Sequence, residues 1–151
     1  MTRIAVESPD QPEVMQLVDE LDAYQKPLYP EESHHGIDIA ALLAANVVFC
    51  VARDSDGVAV GCGALVIEDG WAELKRMFVR PAFRGHGVAR DMLCFLEAQA
   101  LGRGVATVRL ETGVRQPEAL RLYEKAGYRP REPFGCYGVD PHSTFMEKPL
   151  Q

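Results

Sequence analysis

The sequence predicts an α/β (α+β) domain built on a mixed, mostly antiparallel sheet flanked by helices, and three patterns point to it. Val14, Leu17, Val18 and Leu21 recur at i, i+3, i+4 and i+7, the spacing of an amphipathic helix. Between residues 47 and 79, two apolar, β-branched runs and a further strand segment are joined by the turn clusters Asp54-Ser55-Asp56-Gly57 and Glu68-Asp69-Gly70, which makes an antiparallel meander. A helix, a strand and a second helix then follow in alternation.

The first strand is expected at residues 3–6, and the first helix starts near Asp10 or Pro12, since proline suits a first helical turn. KPLYPEESHHG at 26–36 breaks that helix with two prolines, and Asp38 is placed to N-cap a second helix running to Ala45. Strands two and three span 47–52 and 58–67, and strand four spans 71–79. In strand four Ala72 and Leu74 share one face, whereas Met77 and Val79 fall on the other parity. A bulge would produce that change, and so would a strand end buried on both faces. In either case Lys75 and Arg76 are not expected to be buried unpaired.

After Arg84-Gly85-His86-Gly87 a helix carries Val88, Met92, Phe95, Leu96 and Ala100 on one face and ends at Gly102 and Gly104. Strand five covers 107–111, a helix covers 117–126 with Gly127 as its C-terminal cap, and short strands are expected at 128–131 and 144–148. No repeat or linker divides the chain, so residues 1–151 are expected to form one domain.

Composition narrows the function. A chain of 151 residues that is 47% hydrophobic and 25% charged is ordinary for a soluble globular protein. A net charge of -6 argues against nucleic acid or anionic membrane as the main partner. Lys75, Arg76, Arg80, Arg84 and Arg90 nevertheless form a local cationic stretch suited to a small anion. Cys50, Cys62, Cys94 and Cys136 form no CxxC pair, which speaks against a zinc site or a disulfide framework, and no metal is expected. The N-terminus lacks the basic and apolar regions of a secretory signal, and 39–52 is too short to span a bilayer, so a cytoplasmic location is expected. A homodimer is compatible with this composition.

RGHGVA at 84–89 lies between a strand and a helix. Glycines there allow a sharp turn that presents successive N–H groups, and with the helix N-terminus they favour a bound phosphate. A tight turn that needs flexible residues would look the same. The Walker pattern is absent, and the dinucleotide fingerprint fails because Arg90 stands at its third glycine.

Arg84, Gly87 and Ala89 fit the [QR]xxGx[GA] signature, and the match extends through ELKRMFVRPAF upstream and EALRLYEKAGY downstream to the closing FMEKPL. On these residues the chain resembles the GNAT superfamily of N-acetyltransferases. PEESHHGID at 30–38, ETG at 111–113 and FGCYGVDPHSTFME at 134–147 are similar to a bacterial branch of it, sometimes labelled indole-acetate acetyltransferase.

The resemblance implies acetyl-CoA as cosubstrate and an opening between strands four and five that admits it. The main chain of Arg84, Gly85, His86, Gly87, Val88 and Ala89 would hold its pyrophosphate, and Met77, Phe78 and Val79 would pair with the pantetheine arm. The amide of Met77 or Phe78 would face the thioester oxygen. Tyr123 stands where the family often has the acid that protonates the leaving thiolate; alternatively it is a helix aromatic packed on the sheet. Glu73 matches the catalytic glutamate of the histone-type members, and the competing reading is an exposed strand glutamate paired with Lys75 or Arg76. Glu111 is a second candidate base. Gln116 stands where the family frequently has asparagine.

The acceptor pocket is expected where Tyr29, Ser33, His34 and His35 of the first loop meet Tyr137, Asp140 and Ser143 of the last. Trp71, Phe83 and Phe134 read as packing. The expected reaction is direct attack of a small-molecule amine on acetyl-CoA, without a covalent enzyme intermediate and without a cysteine nucleophile. The competing readings are a protein or peptide amine as acceptor, and a non-catalytic acyl-CoA sensor.

Overall fold

A computed structural model of the chain describes residues 2–30 and 38–150. In chain order it contains β1 (Arg3–Val6), α1 (Pro12–Gln25), a 3₁₀ turn Lys26–Leu28, α2 (Ile39–Leu42), β2 (Val47–Arg53), β3 (Ala59–Ile67) and β4 (Trp71–Val79). A 3₁₀ turn Pro81–Phe83 follows, then α3 (Val88–Gly102), β5 (Thr107–Gly113), α4 (Pro117–Lys125), β6 (Arg129–Arg131) and β7 (Ser143–Pro149). The described strands form one sheet in the order β1-β2-β3-β4-β5-β7-β6. Among the described strands only β4 and β5 run parallel.

Both faces of the sheet are covered, and β2 shows why its sequence is apolar without alternation. Val48, Cys50 and Ala52 enter the core layer that also holds Met92, Leu96 and Tyr128, while Phe49 and Val51 join Val14, Leu17 and Leu21 of α1. Each fully buried leucine or valine contributes about 1.5–3 kcal/mol of transfer free energy. α1 starts at Pro12 after an extended Gln11, and its buried stripe is the one read from the sequence.

α2 is shorter than expected. Asp38 does cap it, its carboxylate accepting from the Ala41 N–H at 2.9 Å, but the helix stops at Leu42. Leu42 is its only buried residue, and the Asn46 side chain donates to the Ile67 carbonyl at 3.0 Å, turning the chain into the sheet.

β4 carries a bulge. Cys62 lies opposite Phe78 and Ala64 opposite Lys75, so Gly63 faces two residues, Arg76 and Met77. Arg76 takes φ 57°, a left-handed conformation that a side chain rarely adopts. A Cβ on Gly63 would lie 2.5 Å from the Met77 sulfur, so the absent side chain leaves room for the displaced methionine. The bulge also accounts for the parity change, since Leu74 and Val79 pack in the same core layer.

Burial pushes the Cys50 and Cys62 thiols up to about 12, whereas Cys94 and Cys136 are exposed. Because the thiolate is the reactive form, a disulfide reagent at pH 8 should titrate two thiols in the native protein and four in denaturant.

Candidate active site

β4 and β5 are paired only from Trp71↔Thr107 to Leu74↔Leu110. Beyond Leu74 the two strands diverge, and the gap continues into two adjoining cavities. The larger, of about 410 Å³, is lined by Met77, Phe78 and Val79, by Phe83 and the turn residues Arg84, Gly85, Gly87, Val88 and Ala89, and by Leu122 of α4. The smaller, of about 150 Å³, lies between Glu73, Lys75, Glu111 and Tyr137 on the sheet side and Asp22, Gln25 and Lys26 on the α1 side. Leu21, Met77, Gln116, Ala119 and Tyr123 line both, so Tyr123 stands at their junction.

Local geometry makes the turn a main-chain surface. Gly85 and Gly87 adopt φ 81° and 82°, and Gly87 is the N-cap of α3. No atom lies within 4 Å of where a Gly85 Cβ would stand. The N-terminal N–H groups of a helix of this length favour an anion, helped here by Arg84 and Arg90. Arg84 donates from Nε to the Val79 carbonyl at 2.9 Å and lies over the Tyr24 and Phe78 rings at 5.6 and 5.7 Å. His86 is exposed and does not line the cavity.

Glu73 is 8% exposed, so it is not a solvated strand residue. It accepts a hydrogen bond from the Tyr137 hydroxyl and pairs with Lys75 at 3.3 Å, while Lys75 donates to the same Tyr137 oxygen at 2.7 Å. Burial and the Glu73 charge both push the Tyr137 phenol upward. Phe134 and Phe145 pack edge-on to each other, and both contact Tyr137, which fixes its ring over Glu73. Arg76 is held by Asp22 at 2.5 Å. Neither Lys75 nor Arg76 is buried unpaired.

Glu111 accepts from the Ser143 hydroxyl at 2.7 Å. The Tyr29 hydroxyl donates to Gln116 Oε1 at 3.1 Å and accepts from the Arg115 N–H at 3.1 Å, docking the end of α1 onto the end of β5. Tyr123 is 7% exposed, its ring lies edge-on to Tyr128 at 5.8 Å, and its hydroxyl has no hydrogen bond among the described residues. Burial, with Glu111 nearby, raises its phenol above the usual value. No cluster of three or more metal-ligating side chains occurs among the described residues, and no helix among them is long and apolar enough to cross a membrane.

The structure thus brings Glu73, Glu111, Tyr29, Tyr123 and Tyr137 around adjoining cavities. Ser33, His34 and His35 lie outside the described residues. Asp22, Gln25, Lys26 and His142 line the smaller cavity without having been singled out in the sequence. The first three follow the core stripe of α1, where helical periodicity marks only the buried face, and the break at Lys26-Pro27 is the sole local sign that the chain turns there.

Among the described residues a seven-stranded sheet parts between a bulged β4 and β5, with a glycine corner opening a helix beside the gap. Residues 13–128 match the model of the Acetyltransferase (GNAT) family. The chain belongs to the GNAT family of N-acetyltransferases. It is 50% identical over 149 residues to a protein of Azospirillum brasilense named IAA acetyltransferase, covering 97% of each chain. A Klebsiella pneumoniae structure provisionally named an acyl-CoA N-acyltransferase is 38% identical, with a TM-score of 0.86 over 100% of this chain and 99% of that one. PaiA N-acetyltransferase from Thermoplasma acidophilum, solved in complex with coenzyme A, shares the fold at 18% identity, with a TM-score of 0.76 over 99% of each chain.

Proposed function

We propose that the protein moves an acetyl group from acetyl-CoA directly to the amine of a small molecule. The observation that carries this is the junction of the two cavities at Tyr123, with a main-chain anion cradle beyond one and carboxylates around the other.

The groups on the larger cavity fit a CoA thioester. The Arg84–Ala89 turn offers N–H donors at the N-terminus of α3 for the diphosphate, and β4 beyond Leu74 has no strand beside it on the β5 side. Acetyl-CoA supplies the activated acyl group. The backbone N–H of Met77 or Phe78, displaced by the bulge, is the donor we assign to the carbonyl oxygen, where charge develops.

In the transfer the amine nitrogen bonds to the acyl carbon and the C–S bond breaks. The acceptor ammonium gives up two protons in all, one before the neutral amine attacks and one after, of which one equivalent ends on sulfur and one in solvent. Tyr123 donates to the departing sulfur and is reprotonated from the amine side. Glu111, beside Tyr123, takes the amine proton directly or through water. Glu73 is less suited to that step because Tyr137 and Lys75 occupy its carboxylate; its part is to hold the cavity wall.

The IAA acetyltransferase name of the half-identical relative fits a small-molecule acceptor, as does a cavity of only about 150 Å³. The test is CoA release from acetyl-CoA across amines, amino acids, aminoglycosides and peptides, with product masses. A small amine should gain 42 mass units, the mass change of N-acetylation. Tight CoA binding with no acetylated product from any acceptor would leave a sensor instead.

The turn has its own test. Gly87→Ala places a side chain at φ 82°, with the Arg90 guanidinium 2.9 Å from the new Cβ. A left-handed non-glycine residue costs about 1–2 kcal/mol, so CoA affinity by calorimetry should fall about tenfold.

A further inference from the structure

Resting on the acetyl-transfer reading above, we propose that the acceptor is a small amino acid-like zwitterion, its attacking amine set beside Glu111 and its carboxylate paired with Lys26. Among the described residues lining the smaller cavity, Asp22, Glu73 and Glu111 stand against Lys26, Lys75 and Arg76. Four of these charges are matched in two pairs within the protein, Arg76 with Asp22 at 2.5 Å and Lys75 with Glu73 at 3.3 Å. Lys26 has no ion pair among the described residues. Glu111 already accepts from Ser143, and a carboxylate with four lone-pair sites can accept an ammonium as well.

The positions of the two groups set the orientation of the guest. Glu111 and Tyr123 line the same cavity, and Tyr123 stands at its junction with the larger one, so the nitrogen that attacks belongs at the Glu111 end. Lys26 is exposed and opens the 3₁₀ turn after α1, so the carboxylate faces the mouth. A cavity of about 150 Å³ elsewhere admits a guest of benzene size. An amine and a carboxylate a few bonds apart, with a short side chain against Leu21, Leu74 and Ala119, have that size. An amine without a carboxylate would leave Lys26 unmatched, and a long polyamine would exceed the space. In the reaction the neutral amine bonds to the acyl carbon, the thiolate leaves and is protonated, and the acceptor's carboxylate is unchanged, giving an N-acetyl amino acid and CoA.

The experiment uses the full chain and acetyl-CoA with glycine, alanine, valine, leucine and methionine, each compared with its amide and its decarboxylated amine. The amino acids should exceed their amides about tenfold in kcat/KM, the scale of one charge-assisted contact. Lys26→Met should reduce that preference to about unity, and Lys26→Glu should reverse it. Equal use of acid, amide and amine by the wild type, or a preference that survives Lys26→Met, would overturn the proposal while acetyl transfer stands. Calorimetric binding of the amino acids to the CoA complex, weakened by Lys26→Met but without turnover of any amine, would support the ligand class and sink the transfer reading. Neither binding nor turnover would overturn both.

Discussion

Replacing Tyr123 with phenylalanine should lower kcat about 10²- to 10³-fold and leave CoA affinity near that of the wild type, which is the range for losing a positioned proton donor. The substitution removes one oxygen and keeps the ring. The ring's edge contact with Tyr128 at 5.8 Å would survive, and so would its place in the core. Burial raises the phenol, so it stays protonated through neutral pH and is lost only above the usual tyrosine range. In the wild type, then, kcat should show no alkaline decline from this group up to about pH 10. In Tyr123→Phe most of the rate should be lost across that whole range. A variant with full kcat would mean that Tyr123 does no more than pack, and that the sulfur takes its proton from water. Stopped-time assays of CoA release at saturating acetyl-CoA, from pH 7 to 10.5, separate the two outcomes.

What the sequence made legible was local. The corner at 84–89 was readable because glycines in a turn and an apolar stripe starting at Val88 are short-range signals, and the chain there has φ near 80° at both glycines. The parity change in β4 was readable too, but not its cause. Telling a bulge from a doubly buried strand depends on the register against β3, which is set by Gly63, in another strand. Glu73 was harder. Pairing with Lys75 or Arg76 is legible as one reading of an exposed strand glutamate, yet its burial and its bond to Tyr137 arise across 64 residues, once the last loop folds over the sheet. The acceptor wall was the least legible part. Asp22 and Gln25 reach the cavity because the buried stripe of α1 seats that helix on the sheet, and the turn at Lys26 is held there as Tyr29 docks onto Gln116 and Arg115, contacts 87 and 86 residues apart in the chain.

That docking makes Gly113→Ala the most consequential single methyl group outside the chemistry. The glycine ends β5, and its backbone is one that alanine can adopt, since it is not among the positive-φ residues. All of the cost therefore falls on space. A Cβ at 113 would lie 1.7 Å from the Tyr29 oxygen, 2.1 Å from its Cζ and 2.8 Å from Gln116 Oε1. The Tyr29 ring cannot rotate aside without giving up both hydrogen bonds, so the segment from Lys26 to Tyr29 must lift from the end of β5. Overpacking of this kind costs about 1–3 kcal/mol, and a chain of this size loses about 2–4 °C in Tm for each kcal/mol. Acceptor KM should rise much more than CoA affinity changes, because Tyr29 and Lys26 line only the smaller cavity. Removing the obstacle supplies the control. In a Tyr29→Ala background the same Gly113→Ala change should cost little in Tm, giving a large coupling in a double-mutant cycle. Equal losses in both backgrounds would mean that the Tyr29 hydroxyl does not hold the acceptor wall against β5.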